Sequence, residues 1–233
     1  MDPNRVCRHR KMRGGPQWTI LRSNLMGPPA RKHFSMIREF HLADFLTLGN
    51  AASGVAAIFA AISYVESHVL GHFLVATALG PLAFVFDALD GRVARWRHQH
   101  SVLGRELDSL ADVISFGVAP ATIAYAAGMR GVWDRAILMA FVACGVSRLA
   151  RYNVTAETLS AGADKVKYFE GAPIPTSLLL TAMLTVAALT GHIGSTMWFG
   201  VVEVGPFDLH PLALAFLFHG ALMISKTIRI PKP

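Results

Sequence analysis

Residues 87–112 read DALDGRVARWRHQHSVLGRELDSLAD and link two apolar stretches, Val69–Ala88 and Asp108–Ala127. Asp87 and Asp90 stand three apart where the first stretch ends, and Asp108 and Asp112 stand four apart where the second begins. Spacings of three and four put side chains on one face of a helix. A helix of about 20 residues, rising about 1.5 Å per residue, crosses a hydrocarbon core of about 30 Å. Two antiparallel membrane helices joined here would bring all four carboxylates to one depth, at the edge of the bilayer.

Outward from this pair the pattern repeats. Phe45–Tyr64, Val132–Ala150, Pro173–Gly191 and Phe207–Ser225 have, or come close to, the same length and apolar character. No long series of alternating strands is present, so helices are the way this backbone satisfies itself in lipid. The expected fold is an all-α integral membrane protein, a six-transmembrane-helix bundle over residues 45–230. Composition agrees: 53% of the 233 residues are hydrophobic and 16% charged, with mean hydropathy +0.42. Soluble domains carry about 25% charge. The apolar content excludes a disordered chain. Two cysteines, Cys7 in a basic tail and Cys144 in an apolar run, exclude a disulfide-stapled secreted module.

Charge sets the expected orientation. With the N-terminus in the cytoplasm, residues 1–44, 89–107, 148–172 and 226–233 are cytoplasmic and carry 20 of the 22 Lys and Arg, leaving Arg130 and Arg135 outside. Both termini and the acidic cluster then lie on the cytoplasmic side of an inner membrane. Residues 1–33 are basic and rich in Pro and Gly, without the apolar run of a secretory signal. They read as a disordered tail, as residues upstream of a start at Met26 or Met36, or as a segment drawn to anionic headgroups. Over residues 34–44, Phe34, Ile37 and Phe40 recur near helical period and Phe45 follows, as in an amphipathic helix lying along the interface. In the first span Gly49, Ser53, Ala57 and Ala61 make a small-residue stripe for close packing. Asn50, beside it, reads equally as packing glue or as a ligand contact.

Four carboxylates at membrane depth repel one another, and each ionised group there costs at least about 2.5 kcal/mol. One or two hard divalent cations resolve the conflict, and all-oxygen ligands suit Mg²⁺ or Mn²⁺ shared with substrate phosphates. Two adjacent metals fit in-line displacement at phosphorus. Gly91, Ala94 and Gly104 leave room for a bulky ligand against the backbone, and Arg95 offers a planar fork for phosphate oxygens. Arg92, Arg97 and Arg105 read as topology anchors. A cation transporter is the competing class, but its site belongs near the midplane on broken helices, and ion transport does not explain the glycines and Arg95.

With the spacing D-x2-D-G-x2-A-R-x8-G-x3-D-x3-D, residues 87–112 resemble the CDP-alcohol phosphotransferase family at all eight fixed positions. The resemblance implies a metal-dependent enzyme that exchanges CMP on a CDP-activated lipid or alcohol for another alcohol. It implies Asp87, Asp90, Asp108 and Asp112 as metal ligands and Asp112 as general base. Asp87, Gly91, Ala94, Arg95, Gly104 and Asp108 would line the CDP site, with Asn50 as a further candidate. It also implies a homodimer. Three further stretches, LTLGN at 46–50, RLARYN at 148–153 and YFEGAPIP at 168–175, resemble the phosphatidylserine synthase branch, as does SFGVAP at 115–120. That branch implies CDP-diacylglycerol and L-serine as substrates, giving phosphatidylserine and CMP, within membrane lipid and with no nucleic-acid partner. Zwitterionic serine wants a cation and an acceptor. Arg148 and Arg151 suit its carboxylate, unless they are positive-inside anchors, and Glu170 suits its ammonium. Glycerol 3-phosphate, inositol phosphate or choline would be the alternative acceptors.

Overall fold

The computed structural model describes residues 42–96, 102–160, 168–225 and 229–231, with the side chains at 42, 94, 102, 156–160, 168–170 and 229–231 left outside the description. The tail over residues 1–33 and residues 34–41 of the expected interfacial helix lie outside the described residues, while residues 42–44 open the first helix. In chain order the helices are α1 (Leu42–Ser67), α2 (Leu70–Trp96), α3 (Val102–Asp112), a π-helical segment (Val113–Val118), α4 (Ala119–Ala127), α5 (Val132–Ser160), α6 (Leu178–Leu189) and α7 (Ala213–Ile224). Short 3₁₀ turns at Ile174–Ser177 and Gly194–Thr196 precede and follow α6.

Among the described residues, three helices are long and apolar enough to cross a membrane, Ala43–Ser67, Leu70–Val93 and Leu103–Ala127, the last running through α3, the π segment and α4. Their outward faces carry exposed Phe45, Phe59 and Ile62 on α1 and Leu82, Phe84 and Val85 on α2, apolar surface suited to lipid rather than water. Ile174–Leu189 and Ala213–Ile224 are shorter apolar helices, and α5 is 29 residues long. The expected four-residue link between the first two spans is tighter still: α1 runs to Ser67 and α2 begins at Leu70.

The sixth apolar stretch departs from expectation. Its opening residues Phe207–Leu209 form a strand, β3, antiparallel to β2 (Val202–Val204). Helix begins only at Ala213. Gly205, at φ +66°, supplies the turn conformation that L side chains resist, and Pro206 has no N–H to donate to a continuing helix. A second pair joins β1 (Tyr168–Glu170) to β4 (Arg229–Pro231), with Glu170 opposite Arg229.

α1 packs along α2 and also touches α3, the π segment and α4; α5 packs with α7, and α6 with α2. Missing side chains let these helices approach. A Cβ on Gly54 would stand 2.5 Å from Ser115 Oγ, and one on Gly49 3.3 Å from the Phe86 ring. The core is aromatic and aliphatic: Phe73, Phe116, Phe141 and Phe216 are fully buried, and the rings of Phe141 and Phe216 meet edge to face at 5.4 Å. Where α4 gives way to α5, Asp134 is fully buried. It accepts from the Gly131 N–H at 2.9 Å and the His210 N–H at 2.8 Å, and its Oδ2 lies 2.6 Å from His210 Nδ1. This clasp ties the start of α5 to the chain entering α7.

Candidate active site

The acid-bearing turns lie at the end of the bundle opposite the Asp134 clasp. α2 carries Asp87 and Asp90 near its C-terminus, and α3 carries Asp108 and Asp112 from its middle to its end. Carboxylate oxygens of Asp87, Asp90 and Asp108 all lie within 4.8 Å of one another. Asp112 stands within electrostatic reach of all three. Helical spacing therefore does bring the four acids together.

The donor set fits a divalent cation. Octahedral metal–oxygen bonds of about 2.0–2.1 Å put cis ligands about 2.9 Å and trans ligands about 4.2 Å apart, so Asp87, Asp90 and Asp108 would draw inward by side-chain rotation to share one ion. Asp108 Oδ1 is buried with no hydrogen-bond partner among the described residues. A buried polar atom left unsatisfied is costly, and a cation would engage its unused lone pairs.

α1 supplies partners to two of the four acids. Thr47 Oγ1 donates to Asp90 Oδ2 at 2.7 Å, and Asn50 Nδ2 donates to Asp112 Oδ1 at 3.3 Å. Thr47 and Asn50 stand three apart and so share one helix face. Asn50 is itself anchored, its backbone carbonyl accepting from Ser115 Oγ at 2.9 Å, while its Oδ1 is buried without a partner among the described residues. The π segment follows Asp112 directly. Single π turns inside α-helices occur often at functional sites, and this one puts Ser115 against α1 at Gly54, where only hydrogen fits. Thr47 and Ser115 were not singled out as site residues in the sequence, although LTLGN and SFGVAP contain them. The available signal was the three-residue spacing of Thr47 from Asn50.

The remaining expected residues are disposed as follows. Gly91 is in α2 with open space on its Cα except toward Arg95, whose Nη1 would lie 3.6 Å from an added Cβ. Arg95 itself is exposed in the last turn of α2. Ala94 is in the same turn, its side chain outside the description, and Gly104 is partly buried in α3. Arg148, on α5, is half-buried within electrostatic reach of Asp112, and its Nε has no hydrogen-bond partner among the described residues. Arg151 points elsewhere: both its Nη atoms lie 3.4 Å from the Ile224 carbonyl, at the C-terminus of α7. There a cation complements the unpaired carbonyls and the helix dipole. Glu170 sits in β1, its side chain outside the description. Gly171 next to it has φ +78°, and a Cβ there would collide with the Met223 carbonyl. The Ala172 N–H donates to Leu222 O at 3.2 Å. RLARYN and YFEGAPIP thus converge on the end of α7. Asn153, closing the first of them, meets Ser109 Oγ at 3.0 Å and the Glu106 carboxylate at 3.3 Å, tying α5 to α3 beside the acids.

The sequence pattern of CDP-alcohol phosphatidyltransferase matches residues 40–205. The chain belongs to the CDP-alcohol phosphatidyltransferase family. It is 44% identical over 209 residues to the CDP-diacylglycerol–serine O-phosphatidyltransferase of Saccharomyces cerevisiae, covering 86% of this chain and 74% of that relative. The enzyme of the same name in Helicobacter pylori is 38% identical over 142 residues, 60% of this chain and 55% of that one. The archaetidylserine synthase of Methanothermobacter thermautotrophicus is 39% identical over 137 residues, 58% of this chain and 53% of the relative. As a CDP-alcohol phosphatidyltransferase, the chain is a membrane enzyme, and its three clustered aspartates can hold a metal ion.

Proposed function

We propose that the chain transfers the phosphatidyl group of CDP-diacylglycerol to the hydroxyl of L-serine, giving phosphatidylserine and CMP. The observation that carries this reading is the meeting of the acid cluster with Arg148. Arg148 has a buried Nε with no partner among the described residues and lies within electrostatic reach of Asp112, so a guanidinium for the serine carboxylate is available within reach of the field of the base for its hydroxyl. The relatives named for serine add support through RLARYN and YFEGAPIP.

The acyl chains stay in the bilayer while the pyrophosphate reaches Asp87, Asp90, Asp108 and Asp112. Mg²⁺ or Mn²⁺, two ions in this reading, would supply charge neutralisation at the pyrophosphate oxygens. Gly91, Ala94 and Gly104 leave room for the CDP moiety, Asn50 Oδ1 offers it an acceptor, and Arg95 pairs with its phosphate. Arg148 and Glu170 hold the serine carboxylate and ammonium. Arg151 belongs to the same acceptor region and acts through its hold on α7. Asp112 takes the proton from the serine hydroxyl, whose oxygen forms the new bond to the β-phosphorus as the bond to the bridging oxygen breaks. CMP leaves with that oxygen and its electron pair. Positioning and electrostatics carry most of the acceleration, as phosphoryl transfer requires.

The same reading takes the six apolar stretches as six spans, the shorter ones packed within the bundle, with the termini and the acids on the cytosolic side by the distribution of Lys and Arg. It also takes the working unit as a homodimer. The test is an acceptor panel. Purified full-length enzyme in detergent, with CDP-diacylglycerol and Mn²⁺, is offered L-serine, glycerol 3-phosphate, inositol phosphate or choline. CMP release and phosphatidylserine formation with serine alone are expected. Release with another acceptor and none with serine overturns the assignment, and cation uptake into vesicles without CMP formation overturns the enzyme reading altogether.

A further inference from the structure

We infer that Thr47 is a positioning residue for the metal site, fixing Asp90 before any ion arrives. The inference rests on the reading that the clustered aspartates hold a divalent cation, and it adds a residue which that reading does not contain.

Thr47 is 4% exposed and Asp90 5%, so the bond between them is shielded from water. At 2.7 Å it falls in the short range of charge-assisted hydrogen bonds. Thr47 Oγ1 also lies 3.2 Å from the Ala43 carbonyl, its i−4 neighbour. A hydroxyl has one proton, and the shorter, ionic acceptor takes it. One lone pair of Asp90 Oδ2 is therefore engaged by α1, which fixes the rotation of the carboxylate and leaves its remaining lone pairs for the cluster.

This commitment matters because the acids repel. Oxygens of Asp87, Asp90 and Asp108 stand within 4.8 Å of one another, and without a cation three such carboxylates lower their energy by swinging apart. Asp108 Oδ1 has no partner to restrain it. Asp90 does, and its partner stands on a helix that cannot drift. Gly49, two residues on, sits against the Phe86 ring next to Asp87, and Gly54 sits against Ser115. Thr47 thus links the rigid α1–α2 packing to one ligand and holds it in place against repulsion. Outer-shell partners of metal ligands typically change metal affinity or activity by about 10–100-fold when removed.

The experiment measures Mn²⁺ binding to the purified full-length protein without lipid substrate, by the loss of the free-ion electron paramagnetic resonance signal. Thr47→Val keeps the branched shape and removes the hydroxyl; Thr47→Ser keeps the hydroxyl. Thr47→Val should weaken Mn²⁺ binding about 10–100-fold and raise by a similar factor the Mn²⁺ needed for half-maximal CMP release, while KM for serine holds. Thr47→Ser should restore most of the affinity. Wild-type binding by Thr47→Val, or equal weakening in both variants, overturns the inference, the second because it assigns Thr47 to packing. Asp90→Asn separates the two readings. If it binds Mn²⁺ like wild type, the metal reading falls and this inference with it; if it loses binding while Thr47→Val does not, the inference alone fails.

Discussion

At one end of the bundle the buried carboxylate of Asp134 takes two backbone N–H bonds and an imidazole contact, so both its oxygens are engaged. At the other, Asp87, Asp90 and Asp108 crowd their oxygens within 4.8 Å, and Asp108 Oδ1 is buried with no partner among the described residues. Burial is shared; saturation is not. A carboxylate whose oxygens are both bonded by its own chain is a joint, here between the start of α5 and the entry to α7. One kept buried with a lone pair unused costs the fold stability, and it makes sense when something outside the chain completes it. The contrast separates acids that build from acids that react without reference to their place in the sequence.

Neutralising one member at each end should give opposite signatures. If Asp108 ligates a metal that stabilises transition-state charge by several kcal/mol, Asp108→Asn should lower CMP release on the order of a thousandfold. Thermal stability measured without metal should hold or rise, since one repelling charge is gone. A variant that unfolds instead would make Asp108 a structural acid and erase the distinction. Asp134→Ala leaves the Gly131 and His210 donors without their acceptor in a buried place. It should cost about 3 kcal/mol of stability, read as a lowered midpoint of thermal unfolding, with CMP release per folded molecule changed less than about twofold. Loss of activity without loss of stability would show that the clasp communicates with the chemistry.

The two ends also differ in how legible they were. Asp87, Asp90, Asp108 and Asp112 stood out because helical spacing and membrane helices alone bring them together, and the structure clusters the first three with Asp112 in electrostatic reach. Thr47 did not, because a threonine in an apolar helix ordinarily bonds its own i−4 carbonyl, and only the neighbouring helix reveals the shorter bond to Asp90. The Asp134 clasp joins residues 76 apart in the chain, a pairing no local pattern encodes. The π segment has the same apolar composition as the helices flanking it, so its changed phase is invisible to periodicity. The hairpin over Val202–Leu209 was hidden by apolar content that suited a helix, although Gly205 and Pro206 marked the break. Arg148 and Arg151 were alike in sequence. Packing separates them, one toward Asp112 and one onto the end of α7.

The smallest expected effect tests whether α5 is held to the acid end by more than packing. Asn153 touches Glu106 and Ser109, the latter adjacent in sequence to Asp108, and it lies five residues beyond Arg148 on the same helix. The contact is partly exposed, so its loss in Asn153→Ala should cost only about 0.5–1.5 kcal/mol. Its position gives it a directional consequence. Loosening this end of α5 moves Arg148 relative to Asp112 and leaves the aspartates, which sit on α2 and α3, where they are. If Arg148 binds the serine carboxylate, KM for serine should rise about 2–5-fold while the Mn²⁺ requirement stays constant, the reverse of the change expected for Thr47→Val. Glu106→Gln combined with Asn153→Ala should then cost less than the two single changes added, because they share one contact. Strict additivity would place the effect of Asn153 in Ser109 alone, and a changed Mn²⁺ requirement would mean that α5 helps to hold the acids as well as the acceptor.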